Sequence, residues 1–176
     1  VSGVWHAARK ALIRAYHAFS LRSAERVVAV SEATKRDIIS EFGIAPEKVS
    51  VIYLGLNRVC AIPPKPVAVP EKFFLFVGAI KERKNVLRVV EAFEIFRTRN
   101  PAYALVIAGK AEGEYAAGVL RYVSRRGLED AVRFAGYVDD AELSFLYQKA
   151  SALVFPSIAE GFTGFPVFEA MDCGLP

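Results

Sequence analysis

Two glutamates, Glu160 and Glu169, bracket a glycine-bearing stretch near the end of this 176-residue chain. An apolar run over 152–155 reads as a buried strand that Pro156 and Ser157 stop. A loop containing Gly161 and Gly164 follows. Pro166 suits the first turn of a helix, where its missing N–H would be unpaired anyway. Strand, glycine loop and helix start together outline an anion site, because free amides and the positive helix end face whatever lies above the loop. The two carboxylates would repel an anion, yet they suit hydroxyl groups on the same ligand, since an ionised carboxylate only accepts. A ligand with a charged middle and hydroxyl-rich ends is a sugar nucleotide. Taken alone, the stretch reads as well as a helix-start loop with two solvated glutamates.

A second group of chemistry-bearing residues lies upstream. The run Phe73-Phe-Leu-Phe-Val-Gly78 predicts a buried strand ending in glycine. The charged loop 79–85 follows, and 86–97 predicts a helix with Val86, Val89, Val90, Phe93 and Phe96 inward. Arg83 and Lys84 therefore sit beyond the carboxyl end of a strand, where open α/β sheets bind ligands. Arginine offers phosphate oxygens a rigid fork and lysine a mobile point charge. The plainer reading of Lys-Glu-Arg-Lys is a solvated charge run.

The elements around these groups alternate. Residues 4–21 predict a helix with Leu12, Tyr16 and Phe19 on one face, Arg9, Lys10 and Arg14 mostly elsewhere, and Trp5 near the start. It reads as an ordinary amphipathic surface helix, or as a basic helix resting on an anionic membrane. Strand 26–30 leads to helix 32–42, with Ser31 as N-cap and Gly43 as the closing residue. Pro46-Glu-Lys makes a turn before strand 49–54. Pro63, Pro64, Pro66 and Pro70 mark 58–71 as a linker. It divides residues 1–57 from 72–176. In the second part, strands 103–108 and 132–135 alternate with helix 114–126 and a helix capped by Asp140, with Leu143, Leu146 and Tyr147 packed inward. Gly109 serves either a ligand's approach or a tight turn. Gly136-Tyr-Val138 ends a strand.

Composition bounds the class. The chain is 53% hydrophobic with mean hydropathy +0.27, which suits a parallel sheet buried on both faces. No apolar run approaches the ~20 residues of a membrane helix. The net charge of +4 fits a phosphate-bearing ligand or an anionic membrane surface; nothing points to nucleic acid. Cys60 and Cys173 are expected to be free thiols in a reducing compartment. His6 and His17 do not share a face at ligand spacing, so neither suggests a metal. The chain starts at Val1 within helical sequence and stops at Pro176 just after a helix, so a piece of a longer protein is expected.

The end of the chain resembles the retaining glycosyltransferases of the GT-B fold, specifically glycosyltransferase family 4. That family's hallmark is E-G-F-G-L-P-x-x-E-A-M-A-x-G-x-P. Here it reads Glu160-Gly-Phe-Thr-Gly-Phe-Pro-Val-Phe-Glu169-Ala-Met-Asp-Cys-Gly-Leu-Pro176. Eight residues separate the glutamates instead of seven, the extra one near Thr163. The likeness spans roughly 22–176. It includes Val-Ala-Val-Ser31, Gly78 with Arg83-Lys84-Asn85, and Gly136-Tyr-Val138; Ala79 stands where many members carry arginine. The resemblance implies an α/β, GT-B-type, Rossmann-like domain with a parallel sheet flanked by helices, plus part of a second α/β domain. It implies sugar transfer from a nucleotide-sugar donor, such as GDP-mannose or a UDP-sugar, to a sugar or lipid-linked acceptor. The product would be cell-envelope polysaccharide or another glycoconjugate.

Arg83 and Lys84 would hold the donor's diphosphate, Glu160 would orient its sugar, and Glu169 would take the ribose hydroxyls. Gly161, Phe162, Thr163, Gly164 and Phe165 would line the donor with loop amides, and Gly78, Gly136 and Val138 would meet the nucleotide. Glu160, Arg83 and Lys84 are thereby the catalytic candidates. No metal is expected, and the location would be cytoplasmic, with possible peripheral membrane contact. A GT-B epimerase and a non-catalytic nucleotide-sugar-binding module are the rival readings.

Overall fold

The computed structural model describes residues 2–158 and 164–176, without the side chains of residues 2–4 and 6. Glu160, Gly161, Phe162 and Thr163 lie outside the described residues. The chain forms two compact units, Val1–Gly55 and Leu56–Pro176.

The first unit holds α1 (Ser2–Ser23), β1 (Val27–Ala29), α2 (Glu32–Phe42), a one-turn 3-10 helix (Pro46–Lys48) and β2 (Val49–Val51). β1 and β2 pair in parallel. Both are shorter than the apolar runs that predict them, and beyond β2 Ile52 and Tyr53 stand exposed. Ser31 caps α2 by accepting from the Thr34 N–H at 3.0 Å. Gly43 closes it at φ 62°. Val27, Ala29, Ile44 and Val49 form the small core. On α1 the expected apolar face of Leu12, Tyr16 and Phe19 is exposed, and Arg14 donates to Glu41 at 2.8 Å.

The second unit is built on a four-stranded parallel sheet in the order β5-β4-β3-β6. Its strands are β3 (Phe73–Val77), β4 (Ala104–Ala108), β5 (Val132–Gly136) and β6 (Ala152–Leu153). The helices are α3 (Val86–Arg97), α4 (Gly113–Arg125), α5 (Asp140–Lys149) and α6 (Phe165–Asp172). The strand period of two splits the apolar runs between two cores. Phe76, Leu105 and Ile107 face α3 and α4, with Val90, Phe93, Val119 and Val123. Phe73, Leu75, Val106 and Ala108 face the other way, with Leu146, Tyr147 and Ala170. Continuous apolar strands are thus explained by burial on both faces.

Several expectations need correction. Asp139, not Asp140, caps α5, and it forms a capping box with Glu142; Lys65 bridges both carboxylates at 3.1 and 2.7 Å. Phe96 is 37% exposed, lying edge-on to Phe74 and Tyr103 at the margin of the core. β6 ends at Leu153 although the apolar run continues to Phe155. Residues 58–71 are more than a linker: they include a 3-10 turn, Val59–Ala61, with Val59 buried beside Leu146 and Ala170. The Ser144 hydroxyl donates to the Ile62 carbonyl at 2.9 Å. Cys60 and Cys173 are not free thiols. They are joined in a disulfide, with Cα atoms 5.5 Å apart, tying this turn to the end of α6.

Candidate functional site

All four strands of the larger sheet run parallel, so their carboxyl ends meet along one edge, and the segments that follow them build the site. Three backbone hydrogen bonds join these ends beyond the last paired residues. Gly78 donates to Ala108 at 2.8 Å, Gly109 to Gly136 at 2.7 Å and Ile80 to Lys110 at 3.0 Å. The approach is so close that a Cβ on Gly109 would lie 2.0 Å from the Gly78 carbonyl oxygen. Of the two readings of Gly109, close backbone packing is the one the geometry fulfils.

Beyond these ends is a hollow of about 280 Å³ lined by Val77 to Ala79, Ala108 to Lys110, Tyr137, Val138 and Leu143. It contains Gly78 and Val138 from the predicted set; Gly136 is not part of its lining, and its carbonyl accepts from the Gly109 N–H. From sequence, Lys110 has no assigned role, Tyr137 stands only inside the Gly136-Tyr-Val138 motif and Leu143 is expected only as packing. Each lies within two residues of a strand-terminal glycine or on the inward face of α5, which is the signal that could have found them. A hollow of similar volume beside α3, lined by Phe74, Val89, Phe93 and Phe96, is mostly apolar, with Arg88 the one charged group among the described residues that line it.

The basic pair sits in a 3-10 turn, Glu82–Lys84, that ends at Asn85 in the left-handed region, φ 59°. Lys84 is not the mobile charge expected of an exposed lysine. It is 8% exposed, its Cε lies where a Gly78 Cβ would be 3.6 Å away, and its ammonium stands 4.6 Å over the Phe155 ring. Glycine at 78 suits the backbone, which has φ 139° there, and the aromatic face of Phe155 attracts the cation. Phe155 has left the β6 ladder to take that position. Arg83 is exposed. Its carbonyl accepts from the Ile158 N–H at 2.8 Å, and Asn85 donates to the Pro156 carbonyl at 3.4 Å. The basic turn is therefore bound to the segment that leads into 159–163.

Gly164 precedes α6 and lies so close to Phe155 that a Cβ would come 2.9 Å from its ring. Lys84, Phe155, Gly164 and the start of α6 form one contiguous chain of contacts. Phe165 and Pro166 open α6, as the missing donor of proline permits. Glu169 follows one turn later, half-buried. The Tyr147 hydroxyl on α5 donates to its Oε2 at 2.9 Å. Burial raises the Glu169 carboxyl above the usual carboxylate range; the Tyr147 hydrogen bond lowers it and the charge of Asp140 raises it. Burial also pushes the Tyr147 phenol far up, with the neighbouring Glu169 adding to the shift. Tyr147 was expected only as packing; a buried phenol that needs a partner is the sequence signal that leads further. Among the described residues, no group of three His, Cys, Asp or Glu side chains is placed to hold a metal.

A parallel sheet wrapped by helices, with a hollow, a buried lysine and a helix start along its carboxyl edge, is an open α/β domain, and such domains bind their ligands at that edge. The Glycosyl transferases group 1 profile matches residues 62–176, and the Glycosyltransferase Family 4 profile matches residues 2–58. The chain belongs to the group 1 glycosyltransferases. It is 30% identical over 168 residues to the O-antigen chain mannosyltransferase B of Escherichia coli, across 89% of this chain and 43% of that protein. It is 35% identical over 158 residues to the O-antigen chain mannosyltransferase RfbU of Salmonella typhimurium, across 89% of this chain and 42% of that one. Among solved structures, Anabaena Alr3699/HepE in complex with UDP and glucose superposes with a TM-score of 0.74 at 24% identity, over 89% of this chain and 44% of that one. WaaG, a glycosyltransferase involved in lipopolysaccharide biosynthesis, gives 0.69 at 20% identity, over 86% and 43%. The fold is that of GT-B glycosyltransferases, and the chain spans less than half the length of the curated relatives it matches.

Proposed function

We propose that this chain is the donor-binding part of a retaining glycosyltransferase that moves a hexose from a nucleoside diphosphate to a growing cell-envelope glycan. Mannose is the sugar we favour, because the O-antigen relatives are named mannosyltransferases. The observation that carries the reading is the buried Lys84 ammonium, held over Phe155 at the end of the central strand, beside the start of α6. A lysine fixed there needs little reorganisation to meet a diphosphate.

Transfer breaks the bond between the sugar's anomeric carbon and the terminal phosphate oxygen, so negative charge grows on the departing diphosphate. Lys84 and Arg83 stabilise that charge, which makes a metal unnecessary in this reading. The hollow beside Gly78 and Val138 receives the nucleotide base, Glu169 accepts from the ribose hydroxyls, and Glu160 orients the sugar. Amides near Gly164 add donors to the phosphate or sugar. The acceptor binds elsewhere in the longer protein. The reading sets α1, which carries Trp5, Arg9, Lys10 and no acidic residue, against an anionic membrane; with Cys60 and Cys173 joined, the free-thiol ground for a reducing compartment falls away.

The test titrates the full-length protein with GDP-mannose and UDP-glucose, with Lys84→Ala and Glu169→Ala alongside. Each substitution is expected to weaken donor binding about tenfold or more, as loss of a charge-assisted contact does. Turnover that requires an acceptor supports the transferase. Epimer exchange without acceptor, or binding without turnover, refutes it. Unchanged donor affinity in both variants removes the site assignment.

A further inference from the structure

We propose that Tyr147 is a positioning residue for the donor: its phenol locks one oxygen of Glu169 so that the other is presented to the ribose hydroxyls. This deepens the proposed role of Glu169 and rests on it. Tyr147 is 1% exposed and packs in the core between the sheet and α6, so it cannot touch the ligand itself. Its hydroxyl donates to Oε2 of Glu169 at 2.9 Å across from α5 to α6. Among the described residues Oε1 makes no hydrogen bond, which leaves it for a ligand. Glutamate has three side-chain torsions, and an untethered one would lose that freedom each time a donor bound. The phenol removes that loss in advance, which is how preorganisation gains affinity.

The anchor is itself rigid. Tyr147 belongs to a ten-residue helix whose start is fixed by the Asp139–Glu142 capping box. Next to it in the chain, Leu146 is fully buried. Because burial and the adjacent carboxylate hold the phenol protonated, it is a donor at every pH at which the protein would be assayed. A tyrosine here that served only to fill space would need no hydroxyl. The hydroxyl finds its partner in the one carboxylate of α6 that the family motif assigns to ribose.

The experiment uses the full-length protein and compares GDP with 2′,3′-dideoxy-GDP by calorimetry, in wild type, Tyr147→Phe, Glu169→Ala and the double variant. UDP and its dideoxy analogue serve if GDP does not bind. Each variant is read as the ratio of its two affinities, so a fraction of unfolded protein cancels. Tyr147→Phe is expected to lose about tenfold in affinity for the ribonucleotide, to bind the dideoxy form as wild type does, and to add nothing in the Glu169→Ala background. Tyr147→Leu, which also lacks a donor, is expected to change the ratio alike. Equal weakening of both nucleotides, or a loss that persists without Glu169, overturns the proposal and leaves Tyr147 a packing residue. If Glu169→Ala keeps the wild-type ratio, the ribose role of Glu169 falls, and the proposal falls with it. If Glu169→Ala changes the ratio while Tyr147→Phe does not, only the proposal falls.

Discussion

Alanine at Gly109 would place a Cβ 2.0 Å from the Gly78 carbonyl oxygen, 2.4 Å from its carbon and 3.0 Å from the Ala79 nitrogen. All three are backbone atoms, so no rotamer relieves the contact. Restoring ordinary van der Waals separation requires the ends of β3 and β4 to part by more than ~1 Å. The hydrogen bonds from Gly78 to Ala108 at 2.8 Å and from Ile80 to Lys110 at 3.0 Å span that gap. Losing or stretching both, at strand ends that are half-buried, costs about 2–3 kcal/mol. For a chain of this size that lowers the melting temperature by roughly 10 °C. Nucleotide binding should weaken too, since Gly78, Gly109 and Lys110 line the same hollow. Gly118→Ala is the control. It lies inside α4, where a new Cβ meets only the Arg121 side chain at 3.9 Å, and alanine there should stabilise by about 0.5–1 kcal/mol. Thermal unfolding followed by circular dichroism and calorimetry reads both. A Gly109→Ala protein that melts with wild type, or two substitutions that move stability in the same direction, would refute the packing argument.

Asp139→Ala should destabilise by about 1 kcal/mol through loss of the α5 cap, whereas Asp140→Ala should stay within about 0.5 kcal/mol of wild type; denaturant titration distinguishes them. The disulfide closes a sequence separation of 113 residues, for which loop-closure entropy gives up to about 4.7 kcal/mol. Reduction should therefore lower the melting temperature by roughly 10 °C, and native alkylation should label neither cysteine; prompt labelling of both would show a dithiol. Glu169 ionises above its ordinary 4.5 because burial penalises the charge. Its ionisation therefore costs stability as pH rises from the ordinary carboxylate range through the raised value, while donor affinity increases over the same window. Glu169→Gln should flatten both dependences, and an affinity that is unchanged across that window would contradict the ribose role.

Much of the fold was legible because local chemistry and tertiary packing agree. Ser31 and Gly43 bound α2 at the predicted residues, since capping is a contact within one turn. The period of Val86, Val89, Val90 and Phe93 marks the buried face of α3, and unbroken apolar runs mark strands covered on both sides. The candidate site was legible in outline for a topological reason: in a parallel sheet every strand-to-helix loop emerges on the same edge, so chain order already brings Gly78, Lys84, Gly136 and Val138 to one end. What failed was decided by which side chains the fold brings together, near or far along the chain. Asp139 and Asp140 are equally good caps by type, and the approach of Lys65 and Glu142 accompanies the choice of the first. Phe155 belongs to an apolar run, yet it turns out of the ladder to lie beneath Lys84.

The sequence by itself determined the class of fold, the direction of its strands and the family, because periodicity, glycine and proline positions and motif order are properties of the chain alone. Only the tertiary structure decided that Lys84 is buried on an aromatic ring, that Tyr147 holds Glu169, and that Cys60 meets Cys173. Each of these joins side chains from separate elements, and residue type specifies what a group can do but not which distant partner the packing brings to it.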